Sequence, residues 1–341
     1  MSMEPERPEL LGGEAGGLAG DAALPPDPQR RRAVGIDIGG TKIATGVVTA
    51  DGYIVERALV PTPMDDEPAT VLAMLGAIEE LRARHPGVEA IGVGAAGLVE
   101  WPSGRVRWAP HNAYRELSLR RLLYEATGLP TVVDNDANAA AWAEARFGAG
   151  VGSDHMVLLT VGTGIGGGLV LGGQVYRGSS GFGVEVGHMI VDPDGPACPC
   201  GQRGCWERFA SGSGLGRLAR EAVGGGRADR VLALAGGDPE AVRGEHVTRA
   251  VAEGDAQAVE VLGRFAWWVA LGLANLANIF DPEAFVLGGG LVRAGEALLA
   301  PTASALRDLL PPQRPEVRIL PATLGERAGA VGAACLAATR R

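Results

Sequence analysis

The sequence predicts an α/β protein built from two similar lobes, on three observations. Short β-like runs alternate with longer helical patterns along the chain, the order typical of mixed α/β folds. Two glycine-rich turns, in GIDIGGTK near the start and LLTVGTGIGGG in the middle, each follow a β-like run, as a duplicated unit would arrange them. The length of 341 residues exceeds the usual size of one domain, which makes two lobes the natural division.

Taken in order, residues 1–32 are rich in Gly, Pro, Glu and Arg, lack hydrophobic periodicity, and read as a flexible tail. From residue 33, AVGIDIGGTKIATGVVT places two apolar runs around a glycine turn, the pattern of a β-hairpin. Further strands are expected over 90–94, 131–134, 156–161, 169–171, 284–287 and 317–320. Helices are expected over 70–84, 119–127, 138–147, 256–280 and 295–310, and no solenoid period is present. Apolar residues at 46% supply a sizeable core. No uninterrupted apolar run approaches the ~20 residues of a membrane span. The acidic start lacks the basic-then-apolar order of a signal peptide, so the expectation is a cytoplasmic protein with no membrane partner. A formal charge of −9 argues against a nucleic-acid surface, which would need clustered Lys or Arg.

Residues 185–207, EVGHMIVDPDGPACPCGQRGCWE, hold three of the four cysteines. Cys198, Cys200 and Cys205 lie in a loop rich in Gly and Pro, and His188 precedes them at the end of an apolar run. Three thiolates and one imidazole complete the tetrahedral shell of a structural zinc, a closed site that shapes the protein rather than attacking a substrate. The alternatives are ordinary buried cysteines, or one disulfide with a spare. Cysteines one residue apart bridge with difficulty, and reduced thiols suit a metal. Cys335, in a small-residue helical stretch, reads as core.

The glycine turns point to phosphate. In DIGGTK, Gly39 and Gly40 let the backbone approach an anion, while Thr41 and Lys42 add a hydroxyl and a charge. Lys42 is the only lysine against thirty arginines, a compact point charge where arginine would be a planar fork. Asp37, on the strand before the turn, is placed to hold Mg²⁺ through water. The run 162–168, including Thr163 and Gly164, offers further amides and a hydroxyl. A third turn, Gly288-Gly289-Gly290, suits the sugar or base edge of a nucleotide. The P-loop order G-x-x-x-x-G-K-[ST] is absent, and so is G-x-G-x-x-G after the first strand.

A candidate base lies in VVDNDANAAAWAEARFGAG, where a β run ends at Asp134 and an Ala-rich helical segment follows Asp136. Open α/β sheets place ligand groups at such junctions. Helix capping would account for Asn135 or Asp136, but for only one of them. Phosphoryl transfer needs a carboxylate that orients an attacking hydroxyl and accepts its proton.

These motifs, in this order, resemble the ROK (repressor, ORF, kinase) family, and within it the bacterial glucokinases. The resemblance runs from about residue 34 to the C-terminus on DIGGTK (37–42), GAAGLV (94–99), DNDANAAAWAE (134–144) and GTGIGGGLVLGGQVYRG (162–178). EVGHM (185–189), CPCGQRGCWE (198–207) and LGGG (287–290) complete it. GAAG stands where many relatives have GAPG. The resemblance implies an actin-like ATPase or hexokinase-type two-lobe α/β fold with ribonuclease H-like halves. The small lobe would comprise 33–140 joined by the C-terminal helix at about 326–341. The large lobe would comprise 141–325, with the zinc loop at 188–205.

By the same resemblance Asp136 is the base for the sugar 6-hydroxyl. Asn135, Glu185, His188, Glu207 and Asn112 are sugar ligands, with His188 also on zinc. Thr41, Lys42, Thr163, Gly164 and Gly289 contact ATP. The implied reaction is ATP-dependent phosphorylation of D-glucose to glucose 6-phosphate, with Mg²⁺ on the donor phosphates, zinc structural, and a homodimer or homotetramer. Kinases for another hexose or an N-acetylhexosamine, a polyphosphate donor, and a sugar-sensing regulator without turnover are the alternatives. The tail is much too short for the winged-helix domain of the family's repressors.

Overall fold

The computed structural model describes residues 31–63, 66–109 and 115–339; most of the expected tail, and Asn112, lie outside the described residues. The first half runs β1 (Arg32–Ile38), β2 (Lys42–Thr49), β3 (Ile54–Pro61), α1 (Glu67–Arg84) and β4 (Val88–Ala95). It continues with β5 (Leu98–Glu100), β6 (Arg105–Trp108), β7 (Arg115–Leu117), α2 (Leu119–Thr127), β8 (Thr131–Asn135) and α3 (Asp136–Phe147). The second half runs β9 (Met156–Val161), β10 (Ile165–Leu171) and β11 (Gln174–Tyr176), then α4 (Glu207–Ala210), α5 (Gly212–Gly224) and α6 (Asp229–Leu234). After α7 (Gly244–Ala252) and α8 (Ala256–Phe280) come β12 (Ala284–Gly288), α9 (Glu296–Leu309), β13 (Arg318–Pro321) and α10 (Ala328–Thr339).

The two halves build the same sheet. The first has strand order β3-β2-β1-β4-β8 and the second β11-β10-β9-β12-β13. In each, three antiparallel strands are extended by two parallel ones. The strands β5, β6 and β7 form a small separate antiparallel sheet. Because β1, β4 and β8 are parallel and in register, Asp37, Gly94 and Asp134 lie in one rank at the carboxyl ends of the strands.

The last helix of each half is exchanged. Helix α3, which follows β8 of the first sheet, packs on β9 and β10 of the second; α10, which follows β13 of the second, packs on β1, β2 and β4 of the first. The two helices also pack on each other, and with buried residues of both sheets they form one shared core. Only glycine permits the approach: a Cβ at Gly332 would stand 1.7 Å from the Ala139 carbonyl oxygen, and one at Gly168 2.4 Å from that of Ala137. Each half also keeps a core of its own, around Ile36, Ile78 and Leu81 in the first and Phe265, Phe285 and Trp206 in the second. Full burial of such side chains contributes roughly 1.5–3 kcal/mol each. Helix α8 is long and apolar enough to cross a bilayer, but it packs against α5, α7 and α9 with Phe265, Leu273 and Ala277 fully buried.

The expected strands and long helices are present, with three differences. The glycine run read as a turn over 162–168 turns only as far as Gly164, and residues 165–168 are already strand β10; its glycines are needed beneath α3. Helix α1 starts at Glu67 rather than 70 because the Asp66 side chain accepts from Ala69 N at 2.9 Å, a cap that fixes the helix start. The strands β3, β5–β7 and β11 and the helices α4–α7 are additional to those expected; β3 carries Glu56 and Arg57 side by side in its middle, and most of the others are short or contain glycines.

Candidate active site

A cavity of about 620 Å³ opens between the two sheets, lined by Asp37, Asp136, Glu144, Thr160, Gly289, Arg293, Glu326 and Gly329, among others. Its walls are the carboxyl ends of the sheets and the start of the two exchanged helices.

The Asp-Asn-Asp cluster divides its labour. Asp134 is buried, accepts Arg177 Nε at 2.7 Å and Asn138 Nδ2 at 3.0 Å, and serves structure. The guanidinium of Arg177 lies 3.8 Å over the Trp101 ring, so this ion pair ties the segment after β11 to β8. Asn135 is the helix cap: its Oδ1 accepts from Ala137 N and Asn138 N, while its Nδ2 donates to the Gly97 carbonyl at 3.1 Å. That leaves one N–H of Asn135 for any ligand. Asp136, the first residue of α3, faces the cavity.

Asp37 faces the same cavity from β1, its Oδ2 against Gly329 near the start of α10. Burial pushes Asp37 up to about 7; the charge of Asp136 adds to the shift and Lys42 opposes it. Asp136 is also raised by burial, against the pull of its bond from Ala137 N. Both shifts come mainly from burial, and two carboxyl groups facing one cavity offer the hard oxygen ligands that Mg²⁺ takes. Asp37 therefore fits Mg²⁺ as a partner.

Of the three glycine turns, Gly288–Gly290 lines the cavity, whereas Gly39, Gly40, Thr41, Lys42, Thr163 and Gly164 are not among its lining residues. Thr41 is exposed at the tip of the first, and the Nζ of Lys42, which opens β2, bonds Glu326 Oε2 at 2.6 Å. The Gly162-Thr163-Gly164 turn is pinned by the start of α5: Gly212 N donates to the Gly162 carbonyl at 2.7 Å and Ser213 Oγ to that of Thr163 at 3.0 Å. Gly289 has φ +89°, and a Cβ there would stand 2.4 Å from the Val161 carbonyl oxygen, so only glycine shapes this turn.

The cysteine loop gathers as the ligand chemistry requires. One donor atom from each of His188, Cys198, Cys200 and Cys205 falls within 4.8 Å of all the others. Cys200 Sγ and Cys205 Sγ are 3.6 Å apart and Cys198 Sγ lies 3.9 Å from His188 Nδ1. Such spacings match the edges of a tetrahedron whose Zn–S bonds are about 2.3 Å. The Nδ1 of His188 faces the cluster, which leaves Nε2 for another partner. Glu207 Oε1 is 3.1 Å from Cys198 Sγ, while its Oε2 lies so near Gly164 that a Cβ there would come within 2.7 Å. Desolvation raises Glu185; His188 counteracts this, and the charges of Asp136 and Glu207 add to it, which places all four groups in one electrostatic neighbourhood.

Residues 33–340 match the ROK family. The chain belongs to the ROK family. Within it, the glucokinase of Streptomyces coelicolor is 43% identical over 308 residues, covering 89% of this chain and 96% of that protein. The solved structure of a ROK family glucokinase from Streptomyces griseus, in complex with glucose and AMPPNP, is 43% identical with a TM-score of 0.78. That comparison covers 90% of this chain and 99% of the other. An N-acetylmannosamine kinase of Escherichia coli is 34% identical over 304 residues, covering 89% of this chain and 97% of that protein. The actin-like, hexokinase-type fold expected of a ROK protein is therefore this chain's fold.

Glu144, Arg177, Arg293 and Glu326, all at or near the ROK cleft, were not singled out in the sequence. Glu144 carried a signal: Asp136, Ala140 and Glu144 stand at successive steps of four on one helix face, and all three line the cavity. Arg177 falls inside the 162–178 run, where nothing sets it apart from its neighbours, and Arg293 and Glu326 come from distant segments with no local pattern.

Proposed function

We propose that this protein is an ATP-dependent glucokinase that transfers the γ-phosphoryl group of ATP to the 6-hydroxyl of D-glucose. The observation that carries the reading is Asp136, a half-buried carboxyl at a helix start in a cavity shared with Asp37 and the Gly289 turn. Asp136 orients the sugar hydroxyl and takes its proton as the bond to phosphorus forms. Asn135, Glu185, His188 and Glu207 hold the sugar, since carboxylates and an amide match vicinal hydroxyls, and Asn112 is a further candidate. Thr41, Lys42, Thr163, Gly164 and Gly289 hold the nucleotide, with Gly39 and Gly40 shaping the first turn.

Asp37 would hold Mg²⁺, which neutralises charge on the donor phosphates. Zinc on His188, Cys198, Cys200 and Cys205 would stiffen the loop that carries the sugar ligands and fix the His188 tautomer. In this reading the lobe of 33–140 with 326–341 closes on that of 141–325 and excludes water.

The test is a coupled assay of Mg-ATP turnover against glucose, mannose, fructose, N-acetylglucosamine and N-acetylmannosamine. The highest kcat/KM on glucose supports the proposal. A preference for N-acetylmannosamine, the second reading that the Escherichia coli relative motivates, overturns it while keeping Asp136 as base.

A further inference from the structure

The chain passes between the two sheets twice, through residues 136–155 from β8 to β9 and through 322–327 from β13 to α10. Both passages converge on one side chain. Glu144, on the third turn of α3, has no solvent exposure. Its Oε2 accepts from Ala149 N at 2.8 Å in the first passage, and from Thr323 N and Thr323 Oγ1, each at 3.3 Å, in the second. Its Oε1 accepts from Leu324 N at 2.8 Å. The two segments are 174 positions apart in sequence and share this one carboxyl group.

The second passage then enters the cavity wall. Ala322 N donates to the Leu287 carbonyl at 2.8 Å, fixing the passage to the second sheet. Two residues after Leu324, Glu326 pairs with Lys42 of β2, and the following helix brings Gly329 against Asp37. A displacement of Thr323 and Leu324 therefore moves groups on the cavity wall directly. The Ala-rich helix α3 offers no other polar side chain on this face between Asp136 and Glu144.

We propose that Glu144 is the hinge pin of the molecule, a positioning residue that holds both inter-sheet passages in register so that Asp136 and the wall carried by 322–329 meet when the lobes close. With no exposed surface in the folded chain, the carboxyl is held by four protein donors, and loss of an acceptor oxygen leaves donors of these passages unpaired. Glutamine keeps the shape but presents one acceptor oxygen and one N–H₂ group. With its amide nitrogen at the Oε1 position it meets Leu324 N, and at the Oε2 position it meets Ala149 N and Thr323 N. Either orientation loses a bond to the second passage, and faster exchange at Ala149 as well reports the link between the two.

The functional part of this proposal rests on the kinase reading; the structural part does not, and the experiment separates them. Amide hydrogen exchange is measured on the full chain and on Glu144→Gln without substrates. The expected result is exchange at least about tenfold faster at Ala149 and at Thr323–Leu324 together, with the β9–β12 amides unchanged. Faster exchange at only one passage, or at neither, overturns the pin. In the kinetic arm, kcat on glucose falls about 10- to 100-fold while the glucose KM stays within about threefold, the split that misplacement without lost binding produces. An unchanged kcat overturns the positioning role. If the wild-type protein phosphorylates no sugar but coupled exchange appears, the kinase reading fails and the pin stands. If Glu144→Gln does not fold, Thr323→Val carries the test. Removal of that hydroxyl should speed exchange at Ala149 across the fold, and exchange confined to 323–324 contradicts the proposal.

Discussion

The two halves share a strand order, yet they use their first hairpins differently. In the first half the turn between β1 and β2 is short, and its chemistry sits on side chains: Asp37 before it, Thr41 at its tip and Lys42 after it. In the second half the turn between β9 and β10 carries no charged side chain, and the glycines beyond it serve packing, since Gly168 lies under α3. One repeat of the duplication thus supplies charge and the other supplies backbone and close approach. The exchanged helices hold the two repeats together, and both begin at the cavity, where Asp136 starts α3 and Gly329 lies near the start of α10.

That contrast can be broken first at the helix exchange. Gly332→Ala drives a Cβ to 1.7 Å from the Ala139 backbone carbonyl oxygen, with no flexible atom to yield, and should cost about 3 kcal/mol or more in urea unfolding. Gly76→Ala is its control: it sits exposed on α1 with nothing within 4 Å and should gain about 0.5–1 kcal/mol. Equal effects would refute the packing account.

If the proposed zinc is bound, the second half is stabilised through its cysteine loop. Cys200→Ser should lose the bound metal by elemental analysis and raise the glucose KM about tenfold or more, with a smaller change in the ATP KM. A full zinc content with unchanged KM contradicts the structural role.

Asp37 makes a prediction with a definite sign. Its folded pKa of about 7 lies above its unfolded value of 3.8, so the native state binds the extra proton between those values. Its contribution therefore favours folding below pH 4 and is lost as pH rises towards 7. Asp37→Asn should be more stable than the wild type at pH 8, and less distinguishable from it at pH 4, by thermal melting without Mg²⁺. The reverse order would mean that Asp37 is stabilised as the carboxylate.

The smallest effect is expected at the first hairpin's charge. Lys42 and Glu326 are half-exposed partners, and such pairs contribute about 0–1 kcal/mol to stability. Lys42→Ala should leave the melting temperature nearly unchanged and raise the KM for ATP several-fold more than that for glucose. The opposite split would remove Lys42 from the nucleotide side.

Much of this was legible in the sequence because the informative residues are consecutive. DIGGTK, DNDAN and the cysteine loop each carry their chemistry within a few positions, and the structure brings Asp37, Asp136 and Gly289 to one cavity and the four metal-ligand candidates to one cluster. What stayed hidden lies in pairs far apart along the chain. The bond from Lys42 to Glu326 spans 284 positions, and the Thr323 contact of Glu144 spans 179. No local period reports such contacts. The run 162–168 misled for another reason: glycine serves turns and close packing alike, and only the position of α3 separates the two uses. Asn135 showed a similar double duty, its amide oxygen committed to the helix cap.

The most direct test of Asp136 as the base combines turnover and binding in one variant. Asp136→Asn should lower kcat for glucose phosphorylation by about 10³-fold or more while calorimetry finds the glucose Kd within about tenfold of the wild type. A variant that retains near-normal kcat would contradict the account, because the cavity-facing carboxyl at the start of α3 would then have no part in the chemistry.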